Sequence, residues 1–157
     1  MNQFEFRRVL GGFCSGVTVV TAMADGVPVG MTCQSFFSLS LDPPLIAFSP
    51  SRSSTSYPRI RSSGSFCVNI LEAGQEELCR QFARSGTDKW RDVPWRPGVT
   101  GSPVLDGVLA SIDCALERDL ETGDHYLTIG RVVALESTPD RRPLLFFNGA
   151  FERLPAA

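Results

Sequence analysis

Short β-branched or alternating apolar runs dominate the hydrophobic pattern of this chain, and runs of this kind predict strands. They cover residues 17–22, 28–33, 45–48, 66–71, 110–116, 125–135, 144–147 and 150–151. Asp25-Gly26 separates the first two runs and supplies the positive φ that a tight hairpin needs. Residues 121–124 are expected to turn the chain between two strands, the second of which carries Leu127, Ile129, Val133 and Leu135 at one parity after His125.

Three stretches have helical spacing instead. Residues 4–13 carry apolar side chains at positions 6, 9, 10 and 13, which predicts a short amphipathic helix. A second short helix is expected to begin at a cap formed by Ser54 or Ser56 and to end near Arg61, and a third covers residues 74–83. Residues 84–107 show no periodicity and predict a long loop, which in a small domain has a function or covers another subunit.

These elements predict a mainly β fold (α+β class), an antiparallel barrel or sandwich with two or three short peripheral helices. Regular strand–helix alternation and a GxGxxG motif are both missing, so a Rossmann domain is excluded. The length of 157 residues predicts a single domain over residues 1–157.

Composition narrows the class of partner. A net charge of −2 with a single lysine argues against a nucleic-acid partner. An apolar run long enough to span a membrane and a signal-peptide pattern are both missing, so we expect a cytoplasmic protein with no membrane partner. Five scattered cysteines without CxxC and a single histidine argue against disulfides and against a metal site.

Two polar clusters flank the apolar run at residues 45–48. The Ser51–Ser56 run precedes a predicted helix, so its hydroxyls and N–H groups suit a phosphate, although a plain N-cap would look the same. The cluster at residues 32–35 could offer polar groups to a planar heterocycle or form an ordinary strand edge. Because side chains typical of catalysis are scarce, a bound cofactor is the expected source of reactivity.

Three single residues are candidates with equally simple structural explanations. His125 begins a strand near a rim, where Asp124 could orient it, and a lone histidine is often structural. Lys89 lies beside Trp90 in the long loop, where a solvated lysine next to a packed tryptophan is the simpler interpretation. Cys33 has no identifiable base partner, so a nucleophilic role has little support.

The order of several segments resembles the flavin reductase family with the FMN-binding split-barrel fold. The matching segments are FRRVLGGFCSGVTVVTA, GMTCQSFFSLSLDPPL, SRSSTSY, FCVNIL, QEELCRQFA, DKW, GDHYLTIGRV and PLLFFNGAF. Together they extend from about Phe6 to Phe151, and it is their shared order and spacing that makes the resemblance specific.

The resemblance implies an enzyme, a homodimer of split β-barrels that uses NADH or NADPH to reduce FMN or FAD. It also implies a separate flavin-dependent monooxygenase that receives the reduced flavin, in aromatic catabolism or secondary-metabolite biosynthesis. Two alternatives remain: a protein that holds flavin as a prosthetic group and reduces another acceptor, and a flavin carrier without turnover. Arg52, Arg84 and Arg131 are equal candidates for contact with the 2′-phosphate of NADPH.

The resemblance also implies roles for individual residues. His125 is placed at the nicotinamide side as the catalytic residue. The isoalloxazine ring is assigned to Thr32, Cys33, Gln34 and Ser35, and the ribityl chain and phosphate to Ser49, Ser54, Thr55 and Lys89. The remaining flavin neighbours are Phe82, Ala83 and Phe151.

Overall fold

A computed structural model describes residues 2–155. Three short helices and twelve strands alternate irregularly within these residues. The helices are α1 (Gln3–Leu10), α2 (Tyr57–Ser63) and α3 (Glu76–Ala83). The strands are β1 (Ser15–Gly16), β2 (Thr18–Ala24), β3 (Val27–Cys33), β4 (Phe37–Leu41), β5 (Pro44–Phe48), β6 (Ser65–Ile70), β7 (Trp95–Pro97), β8 (Pro103–Leu105), β9 (Ala110–Thr122), β10 (His125–Ser137), β11 (Leu145–Phe147) and β12 (Ala150–Glu152).

A seven-stranded antiparallel sheet in the order β3-β2-β6-β9-β10-β5-β4 forms the body of the fold. A second sheet has the order β1-β11-β12, and β7 and β8 pair with each other. The expected hairpin at Asp25-Gly26 is present, with φ values of 53° and 75°, which joins β2 to β3 through two residues. The mainly β, antiparallel prediction with short helices is therefore confirmed.

Two apolar cores lie on opposite faces of the sheet. Val20 and Ala22 of β2 point into the first core, while Val17 and Val19 belong to the second. Successive strand residues face opposite sides, and both sides are covered here, so the run at residues 17–22 is apolar almost throughout. Phe66 and Phe48 meet edge to face in the first core, with ring centroids 5.2 Å apart.

The prediction of a long loop over residues 84–107 is wrong in part, because this segment contains a hairpin and packs on the second core. The hairpin β7–β8 lies within this segment, and the partly buried Trp90, Val93 and Trp95 pack on the second core. Trp90 stands edge-on to the buried Phe82 at 5.0 Å between centroids. The segment is thus a cover for the core of this chain itself.

Strands β9 and β10 are longer than expected. Only Gly123-Asp124 turns the chain, since residues 121 and 122 belong to β9. The residues of β10 that pack on the first core include Tyr126 and Val132, whereas Val133 and Leu135 are exposed. A bulge between Val132 and Ala134 breaks the alternation, so the predicted common face is not continuous.

The first two helices form close to where the pattern placed them. Helix α1 begins at Asn2, whose side chain accepts a hydrogen bond from the Phe4 amide, and its apolar face is exposed. Ser56 is the N-cap of α2, but the side chain that accepts the Tyr57 amide is Ser54, at 3.2 Å. No helix within residues 2–155 has the length and apolar content needed to cross a membrane.

Candidate functional site

The Ser51–Ser56 segment and the turn that precedes β10 meet at one edge of the sheet. Ser51 forms an isolated bridge with His125, and the Arg52 amide donates to the Asp124 carbonyl at 2.9 Å. The Tyr126 amide donates to the Pro50 carbonyl at 2.9 Å. The pairing of β5 with β10 causes this proximity, because the segment that leaves β5 must pass the residue that begins β10.

His125 is held by its neighbour in the turn. Its Nδ1 lies 2.8 Å from Asp124 Oδ1, and this hydrogen bond lowers the pKa of the Asp124 carboxyl. Because Nδ1 is engaged, Nε2 is the ring nitrogen that remains for a ligand. The side chain is 44% exposed and lines a large cleft. The contact with Asp124 is the one that the sequence suggested for this histidine.

The cleft has a volume of about 1140 Å³ and lies between α1, the segment after β3 and the β11–β12 turn. Aromatic side chains form much of its wall, and a few polar side chains form its edge. The aromatic residues are Phe6, Phe13, Phe36, Phe37 and Phe146. The polar residues include Arg7, Ser15, Gln34, Ser35 and His125.

The end of β3 at Cys33 divides the cluster at residues 32–35. Gln34 and Ser35 are exposed and line the cleft. Thr32 instead donates its hydroxyl to the Cys79 carbonyl at 2.6 Å, and Cys33 is buried with its Sγ 3.2 Å from Ser35 Oγ. Burial raises the pKa of the Cys33 thiol, which keeps it neutral. The structure therefore brings two of these four residues to the cleft.

The hydroxyls expected near a phosphate are engaged by the protein at two positions. Ser49 donates its hydroxyl to the Tyr126 carbonyl at 2.7 Å, and its amide donates to Ser35 Oγ at 2.7 Å. Ser54 accepts the Tyr57 amide, as described above. Thr55 is exposed and lines a separate hollow of about 290 Å³, which Lys89 shares.

Lys89 ties together three segments that are distant in sequence. Its Nζ donates to the Phe82 carbonyl at 2.9 Å, to Ser56 Oγ at 3.1 Å and to the Gly30 carbonyl at 3.3 Å. All three ammonium hydrogens are thereby used within the chain. Desolvation lowers the pKa of Lys89. The sequence suggested a solvated or phosphate-binding lysine, and neither interpretation anticipated these contacts.

The remaining predicted flavin neighbours lie around the end of α3. Phe82 is fully buried and does not line the large cleft or the hollow next to Lys89. Ala83 and Phe151 line a third hollow, of about 490 Å³. This hollow shares Phe146 and Gly149 with the large cleft, so the two are continuous along the β11–β12 turn. Ala83 and Phe151 are therefore adjacent to the cleft and outside its main volume.

Sequence reasoning missed Arg7 and the aromatic wall. Phe36 and Phe37 directly follow the polar cluster at residues 32–35, and this neighbourhood was the available signal. Arg7 gave no such signal in the sequence, because arginine is common on the polar side of a short helix. Its place in the cleft depends on how α1 sits against the sheet.

The lining suits a planar heterocycle with polar substituents. Aromatic walls bury ring faces, while Gln34 and His125 offer side-chain hydrogen bonds at the edge, the usual arrangement of a ligand pocket. Its volume of about 1140 Å³ lies slightly above the usual range of roughly 300–1,000 Å³ for such pockets. No carboxylate of residues 2–155 lines the cleft, so this set does not form an acid–base pair. The residues present fit a flavin or nicotinamide ring whose own atoms carry the reactivity.

Comparison with known proteins gives the same assignment. The family described as "Flavin reductase like domain" matches residues 10–155. The reductase subunit HsaB of a flavin-dependent monooxygenase from Rhodococcus jostii is 48% identical over 147 residues, which cover 94% of this chain and 75% of that protein.

Two solved structures share the fold. Nitrilotriacetate monooxygenase component B from Mycobacterium thermoresistibile superposes with a TM-score of 0.94 at 46% identity, covering 98% of this chain and 87% of the other. The NADH:FAD oxidoreductase SgcE6 from Streptomyces globisporus, in complex with NAD and FAD fragments, gives a TM-score of 0.93 at 38% identity, covering 98% and 93%. With the family match over most of its length, this chain belongs to the flavin reductase family.

Proposed function

We propose that this protein is an NAD(P)H:flavin oxidoreductase that reduces FMN or FAD and supplies the reduced flavin to a separate monooxygenase. The observation that carries the proposal is the large cleft, where aromatic walls and the polar edge of Gln34, Ser35 and His125 converge without a carboxylate. Such a site positions reactants and does not need to transfer protons through acidic side chains.

The residues of the cleft have three tasks. The aromatic wall would exclude water and bury the faces of the flat rings that bind there. His125, oriented by Asp124, binds the nicotinamide side, and the polar groups of Gln34 and Ser35 bind the flavin edge. The bound nicotinamide and flavin supply the chemistry itself, a hydride transfer.

A separate monooxygenase partner follows from the relatives, since the Rhodococcus jostii protein is named as the reductase subunit of such an enzyme. We place this protein in the same kind of two-component system, acting on an aromatic compound or a secondary metabolite. A cytoplasmic location is part of the proposal. Its support is the set of five free cysteines, four of them buried, which is typical of a reducing compartment.

A homodimer is also part of the proposal. Phe13 on the segment after α1 is 81% exposed and Leu41 at the end of β4 is 90% exposed, and Phe37 and Leu39 on β4 are exposed as well. Exposed apolar side chains in such numbers mark an interaction surface. Sedimentation equilibrium is expected to give twice the chain mass of 17.1 kDa, and a mass of 17.1 kDa at micromolar concentration would contradict it.

Steady-state assays that cross NADH and NADPH with FMN and FAD test the reaction. Flavin-dependent loss of nicotinamide absorbance is expected in at least one combination, and no flavin-dependent loss in any of the four would overturn the proposal. Anaerobic turnover separates the alternatives that the sequence left open. Reduction of many flavin equivalents per protein supports flavin as substrate, whereas reduction that stops at one equivalent indicates a prosthetic group.

A further inference from the structure

Arg7 is the cationic side chain of the large cleft. It lies in the last turn of α1, and no other Lys or Arg of residues 2–155 lines this cleft. Its guanidinium takes part in no ion pair or hydrogen bond within the described residues. Arg7 and His125 line the same cleft. The charge of Arg7 adds to the effect of the His125 hydrogen bond in lowering the pKa of Asp124.

The three arginines that the sequence offered as phosphate contacts are engaged or placed elsewhere. Arg131 forms a two-point pair with Glu117, at 3.0 and 2.9 Å. Arg52 lies 3.5 Å from the carboxylate of Glu121 and 6.0 Å from the ring centre of Tyr126. Arg84 lines a different hollow, beside acidic residues of the long loop.

We propose that Arg7 binds a phosphoryl group of the nicotinamide cofactor and thereby sets the affinity for NADH or NADPH, an inference that rests on the proposed function. A guanidinium matches phosphoryl oxygens with two parallel hydrogen bonds. No carboxylate of the described chain lines the cleft, and Asp124, the carboxylate on which the charge of Arg7 acts, is hydrogen-bonded to His125. Phe6 and Leu10, on the same helix, line the cleft next to Arg7 and offer apolar surface to the rest of the dinucleotide.

The test compares Arg7→Gln with Arg8→Gln. Arg8 is the matched control, because it is the next residue of the same helix, is exposed, and does not line the cleft. We expect Arg7→Gln to raise the KM for the nicotinamide about tenfold, the size of one charge-assisted hydrogen bond, with kcat and the KM for flavin within twofold of wild type. Arg8→Gln is expected to match wild type in all three values.

The two cofactors distinguish the source of the phosphoryl group. A KM that rises for NADH and NADPH alike assigns the contact to the pyrophosphate, and a KM that rises for NADPH alone assigns it to the 2′-phosphate. Both outcomes support the proposal. Equal KM values for Arg7→Gln and Arg8→Gln would overturn it, as would a rise confined to the flavin. If wild type itself shows no flavin-dependent turnover, the proposed function fails before this inference is reached.

A second measurement does not depend on turnover. Phenylglyoxal modifies exposed arginines, and tandem mass spectrometry separates modification of Arg7 from modification of Arg8. Saturating NAD⁺ or NADP⁺, which carries the same phosphoryl groups and cannot reduce flavin, is expected to slow the labelling of Arg7 at least fivefold and to leave Arg8 unchanged. Equal labelling of Arg7 with and without the nicotinamide would show that the guanidinium stays free in the complex.

Discussion

Replacing Lys89 by methionine distinguishes a lysine that holds the fold together from one that binds a phosphate. Its Nζ donates to the Phe82 carbonyl, to Ser56 Oγ and to the Gly30 carbonyl, and methionine keeps most of the side-chain stem while removing all three bonds. A hydrogen bond contributes about 1 kcal/mol net, and three of them about 3 kcal/mol. Desolvation of the ammonium, which lowers the pKa of Lys89, offsets part of this.

We therefore expect Lys89→Met to reduce the free energy of unfolding by about 2 kcal/mol, which lowers Tm by about 4–8 °C in a domain of this size. Urea denaturation followed by tryptophan fluorescence measures the loss. Arg91→Met is the control, because its exposed side chain makes no hydrogen bond within residues 2–155, and its stability is expected to match wild type within about 0.5 kcal/mol.

The flavin kinetics of the same variant complete the test. A loss of stability with the KM for flavin raised at most a few-fold is the expected result, because the lysine acts through the segments that it joins. Unchanged stability together with a flavin KM raised tenfold or more would refute this reasoning and restore the phosphate contact that the family resemblance implied.

Three further substitutions probe the site and the core. His125→Ala is expected to reduce kcat/KM for NADH about tenfold with the flavin KM within twofold, and unchanged NADH kinetics would refute the nicotinamide assignment. Gly30→Ala places a Cβ 2.6 Å from the ring of buried Phe82 and is expected to cost about 2 kcal/mol in urea unfolding, whereas Gly16→Ala meets nothing within 4 Å and serves as control. Burial raises the pKa of the Tyr57 hydroxyl, so the stability that this neutral hydroxyl contributes is present below pH about 10 and is lost as the pH rises further. Above pH about 10, the free energy of unfolding of Tyr57→Phe should therefore fall less steeply than that of wild type, by about 1.4 kcal/mol per pH unit. Equal slopes of the free energy of unfolding against pH, measured by urea unfolding, would contradict this.

Local signals were sufficient for several elements of the fold. Asp25-Gly26 fixed the first hairpin through its turn chemistry. Asn148-Gly149, at φ values of 48° and 82°, does the same between β11 and β12. The helical spacing of residues 4–13 likewise predicted α1 within a few residues of its limits. These elements are determined by residues that are close together in the sequence, so the sequence alone predicts them.

The hairpin β7–β8 depends on distant residues and left no such signal. Its strands are three residues long and each carries a proline, so they show neither length nor alternation. Two buried contacts hold it in place. The Leu105 amide donates to Asn69 Oδ1 at 2.8 Å, and the Thr100 hydroxyl donates to Asp113 Oδ1 at 2.6 Å. The sequence around residues 95–105 contains no pattern that predicts these hydrogen-bond partners on β6 and β9.

The family, the fold class and the reaction class followed from the order of motifs, and the family match bears out that resemblance. The individual contacts did not follow equally well. Thr32 and Cys33 end β3 and face the protein, while Gln34 and Ser35 follow the strand and reach the cleft. The letters TCQS do not reveal where the strand ends. Motif order identifies a site, and the end of β3 decides which of its residues face the ligand.

The β5–β10 register is the feature on which the whole site depends. Phe48 pairs with Thr128, so the chain that leaves β5 passes the beginning of β10, and Ser51 bridges His125. The Arg52 amide then donates to the Asp124 carbonyl and fixes the turn whose carboxylate orients the histidine. A slip of one residue would turn every side chain of β10 to the opposite face and remove this chain of contacts. The segment after β5 and the Gly-Asp-His turn appear in the sequence as two unrelated motifs, and strand pairing joins them into one structural unit.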